Sequence, residues 1–74
     1  MFLRIYELGE KLYMQTSTII DEGLLLVKEK DGEIILSKSV SNTNFERITD
    51  SLPKGEYLIR LTTNGNEYKR KIKV

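Results

Sequence analysis

The sequence predicts an antiparallel all-β domain, a small sandwich or a partly open barrel, on three observations. Apolar residues alternate with a period of two, not 3.6. Asn-Gly and Asp-Gly pairs separate alternating runs, and such pairs supply the positive φ angles that tight hairpins need. β-branched and aromatic residues fill the periodic runs while alanine is absent from all 74 residues, a poor composition for a helical bundle. With turn glycines at 9, 32, 55 and 65 and runs roughly ten residues apart, six or seven short strands are expected in one domain, residues 1–74.

The clearest hairpin is Glu56 to Thr63, the turn Asn64-Gly65, then Asn66 to Val74. That turn sets Leu61 opposite Tyr68, Ile59 opposite Arg70 and Tyr57 opposite Ile72. One face then carries Tyr57, Ile59, Leu61, Tyr68, Ile72 and Val74 as core. The other carries Arg60, Thr62, Lys69, Lys71 and Lys73, with Glu56 opposite Lys73 and Glu67 opposite Thr62. One register sorts both strands into an apolar and a polar face, as a half-buried sheet requires. Arg60 opposite Lys69 is a mild like-charge cost.

A second hairpin runs from Leu24 through Lys30-Asp31-Gly32 to Lys38. The loop is either two residues or three with Gly32 in the left-handed region and a bulge; the three-residue form is preferred because it pairs Val27 with Ile35 and Leu26 with Leu36, apolar with apolar. Leu24–Val27 is apolar on both faces, which predicts a central strand covered on two sides. Upstream, Phe2–Tyr6 and Lys11–Ser17 are weaker strands around Leu8-Gly9-Glu10. Leu12 and Met14 share one face of the second; Tyr13 and Gln15 share the other. Ser17–Gly23 is expected as a connection with Ile19 and Ile20 tucked in, Ser39–Asn44 as a polar loop, and Phe45–Asp50 as an irregular strand, although Phe45, Ile48 and Leu52 also sit at helical spacing with Asn44 as a cap, which leaves a helical turn open. Leu52-Pro53-Lys54-Gly55 is a tight turn, with Pro53 presetting φ and Gly55 relieving the last position.

Composition narrows the chemistry. Lys and Arg number 12 against 11 Asp and Glu, a net charge of +1, with no His, Cys or Trp. Zinc and thiolate sites lack their ligands, and Ser-His-Asp or Cys-His machinery is impossible within the chain. The acids Asp21/Glu22, Glu29/Asp31/Glu33 and Glu46/Asp50 can transfer protons without His, but each lies at a predicted turn, where solvated acids are common. No enzyme activity and no cofactor are therefore expected. Glu29 to Glu33 offers the oxygen ligands calcium takes, yet Lys30 sits in its middle and Asp31-Gly32 marks a hairpin turn first. There is no run of about 18 apolar residues for a membrane span.

Charge is uneven. Lys54–Val74 holds six basic and two acidic residues, and residues 1–53 hold six basic and nine acidic. Lys69, Lys71 and Lys73 alternate on one strand, so with Arg60 they form the candidate contact surface for a polyanion. Lysines on an exposed strand also block edge-to-edge aggregation. Nucleic acid is not expected as a partner, because no aromatic interleaves that face for base stacking.

From Leu24 onward the order of features resembles a known family. An apolar strand enters the Gly32 turn, a polar segment leads to Leu52-Pro53-Lys54-Gly55-Glu56-Tyr57, and Asn64-Gly65-Asn66 precedes the basic-apolar strand Lys69-Arg70-Lys71-Ile72-Lys73-Val74. This resembles the type A C-terminal sorting domains of Bacteroidetes type IX secretion cargo over roughly the last fifty residues. Over the whole chain, including Glu10-Lys11-Leu12-Tyr13-Met14, it is more similar to a family of small secreted Bacteroidetes β-sandwich proteins of unknown function. The resemblance implies an immunoglobulin-like sandwich of about seven strands, no catalysis, and a secreted or cell-surface location. The sequence itself shows no signal peptide, so a native chain of this length is expected to be cytoplasmic. Partners implied are proteins: secretion machinery, a host or bacterial surface protein, or a protease that the domain inhibits through Ser39–Asn44. In that setting Asp50-Ser51-Leu52 is similar to an acceptor for O-glycosylation at Ser51.

Overall fold

The computed structural model describes residues 1–74. Its strands are β1 (Leu3–Leu8), β2 (Lys11–Glu29), β3 (Ile34–Thr49), β4 (Glu56–Thr63) and β5 (Asn66–Lys73). They pair antiparallel in one sheet that curls into a half-barrel, with 77% of residues in strands and no helix. The class matches the expectation. The count is five, not six or seven, and the strands form one hydrogen-bonded sheet rather than a sandwich of two. Two presumed connections, Ser17–Gly23 and Ser39–Asn44, are the interiors of β2 and β3, which run for 19 and 16 residues.

The curl follows from how β2 is used. Lys11–Thr16 pairs with β1, Leu24–Glu29 pairs with β4, and β3 accompanies β2 along its other edge. Pairing between β2 and β3 breaks between Gln15↔Phe45 and Ile20↔Thr43, so Thr16–Ile19 oppose Asn44 alone. Surplus residues on one strand bend it and increase its twist. The bend is held locally. The buried Thr16 hydroxyl donates to the Thr18 carbonyl at 2.7 Å, and Ser17 and Phe2 exchange two bonds, Ser17 N–H to the Phe2 carbonyl and Phe2 N–H to the Ser17 hydroxyl. Asn42 takes φ 49° on the facing strand, a left-handed conformation that Asn tolerates. Of the two isoleucines expected to tuck in, Ile20 does and Ile19 stays 67% exposed.

The concave side holds the core: Leu3, Leu12, Met14, Ile20, Leu25, Val27, Val40, Ile48, Tyr57, Ile59 and Leu61. Leu12 and Met14 share this face as alternation requires, and Ile48 enters as the extra residue of a bulge between Leu12↔Thr49 and Tyr13↔Arg47. The convex side of Leu24–Val27 is not covered by a second layer. Leu24 is 41% exposed, while Leu26 is shielded within the sheet by its register partners Ser37 and Arg60.

The β4–β5 register is the expected one at every position, from Glu56↔Lys73 to Thr62↔Glu67. Asn64 and Gly65 both have positive φ, 51° and 77°, as the two-residue turn demands. At the other hairpin the three-residue loop forms with Gly32 at φ 97° and Glu29 N–H bonded to the Glu33 carbonyl. The expected pairs are displaced by one: a bulge at Ile35 gives Val27↔Leu36 and Leu26↔Ser37. The slip places Leu36 and Val40 on the core side, where the unbulged register would have turned them outward.

Before β4, the Tyr57 hydroxyl donates to the Pro53 carbonyl at 2.6 Å, and Leu52 packs on the core. Gly55 (φ 154°) exchanges two backbone bonds with Val74, so the β4–β5 ladder extends to Val74. β5 meets β1 without a ladder; the Arg70 guanidinium crosses the seam and donates to the Leu3 carbonyl at 2.9 Å.

Candidate functional site

The hairpin register brings the four predicted basic residues together on the convex face of β4–β5. Lys69, Lys71 and Lys73 are solvent-exposed in a row. Arg60 is half-buried beside Leu26 and opposite Lys69, and its guanidinium lies 3.5 Å from the Glu67 carboxylate. That diagonal ion pair offsets the like-charge contact expected with Lys69 and commits Arg60 to its own hairpin. A cleft of about 560 Å³ opens at one end of the sheet between the Gly32 hairpin and the β4–β5 ladder, with Lys28, Lys30, Lys71 and Lys73 on its walls. Glu29 and Glu56 share it, and Lys30 pairs with Glu56 at 3.4 Å.

The acids behave as turn and ion-pair residues. Glu29, Asp31 and Glu33 bring carboxylate oxygens within 4.8 Å of one another at the hairpin tip. Asp31 accepts the Glu33 N–H at 3.1 Å, an Asx turn that accounts for its position. Desolvation of half-buried Glu29, then the charges of Asp31 and Glu33, raise its carboxyl above the ordinary value. Glu46 and Asp50 engage different cations, Lys38 at 3.4 Å and Arg47 at 3.2 Å. Lys38 and Glu46 are the register partners of core residues Leu25 and Met14. Their ion pair therefore lies at the β3 rim of the concave side and shields the core's edge. Asp21 and Glu22 are exposed on β2.

An aromatic group on the convex face of the β1–β2–β3 half was not anticipated. Tyr6 faces Tyr13 across the β1–β2 ladder, and Phe45 faces Gln15 across β2–β3. Tyr13 and Phe45 stack with centroids 5.3 Å apart at 19°, and Tyr6 lies 6.2 Å from Phe45 at 38°. The Tyr6 hydroxyl donates to the Gln15 amide oxygen, and the Arg4 guanidinium sits 5.9 Å from the Tyr6 ring centroid. Part of this was available from the sequence. Gly9-Glu10 as a two-residue turn (Gly9 at φ 65°) places Tyr6 opposite Tyr13. Phe45 joins only because β3 bends, and no local signal announced that.

Gly32, Asn64 and Gly65 lie in hairpin turns, whereas Pro53 and Gly55 lie in the non-strand segment between β3 and β4, where the expected tight turn is replaced by a bend at Lys54 and Gly55 and Gly55 pairs with Val74; Ser51 is exposed in the same segment. No helix is long and apolar enough to cross a membrane. Compared with known proteins, the chain matches no family model and no curated protein sequence.

Proposed function

We propose that the chain is a non-catalytic binding module, secreted or displayed at a cell surface, that engages another protein by strand addition along the open edge of β3. The observation that carries this is the pairing pattern: β3 is hydrogen-bonded to β2 on one edge and to no strand on the other. Unpaired strand edges template the addition of another chain. Part of the edge is blocked by its own side chains. The Thr43 hydroxyl takes both the N–H and the carbonyl of Phe45, and Lys38 donates to the Arg47 carbonyl at 2.7 Å. The accessible stretch is Ile34–Ser41, with Ile34 and Ile35 exposed at its start. The resemblance to sorting domains and to secreted immunoglobulin-like sandwiches supports export and a partner in the secretion machinery. The exposure of Ser51 supports its use as a glycosylation acceptor.

The test is a reporter fused to residues 1–74 in a host with type IX secretion. The whole chain is needed, because Leu24–Val74 alone lacks the core residues Leu3, Leu12, Met14 and Ile20. Export is expected, with loss when Ser37→Lys and Ser39→Lys charge the edge of a protein that still folds. Periplasmic retention of the unsubstituted fusion overturns the sorting role.

Polyanion binding by Lys69, Lys71 and Lys73 is a second reading, supported by their unpaired exposure in one row. It requires heparin retention that falls steeply with salt; a flat response excludes it. Inhibition of a protease through a Ser39–Asn44 loop loses its basis, since those residues lie inside β3.

A further inference from the structure

We propose that the convex face of the β1–β2–β3 half binds single-stranded nucleic acid, with bases stacking on the Tyr6–Tyr13–Phe45 group and phosphates meeting Arg4, Lys11 and Arg47. Three features coincide there. Phe45 is 44% exposed at the centre of the ring group, within 6.2 Å of both tyrosine centroids, so a planar ligand reaches it from solvent. Lys11 shares the face of Tyr13, Arg4 that of Tyr6, and Arg47 is the register partner of Tyr13; all three cations are exposed. Where Lys11–Gln15 pairs with β1 and β3, no carboxylate occupies a position of that face; Asp50, beyond β3, contacts Arg47 at 3.2 Å.

The chemistry favours this ligand over other stacking ligands. Rings surrounded by cations suit bases joined by phosphates, and single strands bind through such aromatic platforms within positive grooves. A duplex hides the base faces that the rings would contact. A neutral oligosaccharide needs acceptors as well as donors for its hydroxyls, whereas Arg4, Lys11 and Arg47 only donate, Asp50 is engaged with Arg47, and the Tyr6 hydroxyl is engaged with Gln15. The absence of aromatics from the lysine face argued against nucleic acid on that face alone. The rings lie on the other half of the sheet, so this site stands apart from both the accessible Ile34–Ser41 stretch of the β3 edge and the lysine row.

The test uses the full chain and a fluorescein-labelled 12-nucleotide oligothymidylate, followed by anisotropy across a salt series, with a duplex of equal length alongside. Saturable binding is expected, stronger for the single strand and weakening as salt rises. Phe45→Leu keeps apolar volume but loses the ring, and should weaken binding about ten-fold, the lower end of what one stacked base contributes. Arg4→Gln should weaken it and flatten the salt slope by about one phosphate contact. Replacing Lys69, Lys71 and Lys73 together by Gln should leave it unchanged. Quenching of tyrosine emission by the oligonucleotide reads the same contact with no substitution, should Phe45→Leu fail to fold. The proposal is overturned by no binding at low salt, by no quenching at saturation, by equal duplex binding that needs the lysines and ignores Phe45, or by a proline-rich peptide or oligosaccharide binding the rings where the oligonucleotide does not.

Discussion

The β4–β5 hairpin and the β2–β3 hairpin are built by different kinds of information. In β4–β5 two turn residues with positive φ fix the pairing, and every cross-strand partner follows from them. In β2–β3 the turn at Gly32 is equally clear, yet the pairing shifts at Val27/Lys28, again at Gln15/Ile20 and again at Leu12/Tyr13. Those shifts are set by what must reach the core, Val40 and Ile48 among them, and not by anything near the turn. A short hairpin is specified by its turn; a long one must be corrected along its length by bulges so that burial stays consistent.

Truncation breaks the first region most severely. Removing Lys71-Ile72-Lys73-Val74 takes away Ile72 and Val74, which pack on the core, and the backbone pair between Gly55 and Val74. Burial of two such side chains is worth roughly 3 kcal/mol, a large share of a small domain's stability. The truncated chain is expected to lose its cooperative thermal transition by circular dichroism. A transition at the parent temperature would instead make the basic tail dispensable to the fold.

The second region is sharpened by two adjacent isoleucines. Ile20→Ala should cost about 2–5 kcal/mol, the usual range for a buried large-to-small change. Ile19→Ala, at a 67% exposed position, should stay within about 0.5 kcal/mol. Denaturant midpoints of the two variants measure the difference. Equal effects would return Ser17–Gly23 to an irregular connection.

This pair also marks how far the sequence carried. Alternation in Glu56–Val74 was legible because it is uninterrupted and closed by Asn64-Gly65. Ser17–Gly23 and Ser39–Asn44 looked like loops because a sharply bent strand buries little: along Ser39–Asn44 only Val40 reaches the core, and polar Ser, Asn and Thr fill the remainder. Ser and Asn favour turns by propensity, and the tertiary pairing overrides it. The basic row was visible for the same reason as its hairpin. The ring group was not, since it draws on three strands and one of them was partly assigned to a loop.

A smaller effect compares the turns themselves. Gly65→Val should cost more than about 1 kcal/mol, because a β-branched residue is strained at φ 77°. Asn42→Val should cost a similar amount at φ 49° if the bend in β3 is as fixed as the turn. Thermal melts of the two variants, within a few degrees of each other and below the parent, are expected; a silent Asn42→Val would mean a bend that adapts.

The smallest effect lies at the Gly32 turn. Glu29 has its folded-state pKa raised above the ordinary 4.5, so the folded form holds the proton more tightly than the unfolded chain. Its contribution is therefore present at low pH and is lost as pH rises from about 4.5 through the raised value. Glu29→Gln should remove that slope and leave the protein slightly more stable at neutral pH, as pH-dependent melting would show.

Both proposed binding surfaces depend on β2 and β3 remaining paired on both sides of the bend, since that aligns the open edge and delivers Phe45 to the tyrosines. Inter-strand nuclear Overhauser effects test this most directly. Backbone contacts are predicted between Gly23 and Val40, Glu22 and Ser41, and Ile20 and Thr43, and again between Gln15 and Phe45 beyond the bend. Their absence, with loop-like shifts across Ser39–Asn44, would contradict the bent hairpin and both surfaces with it.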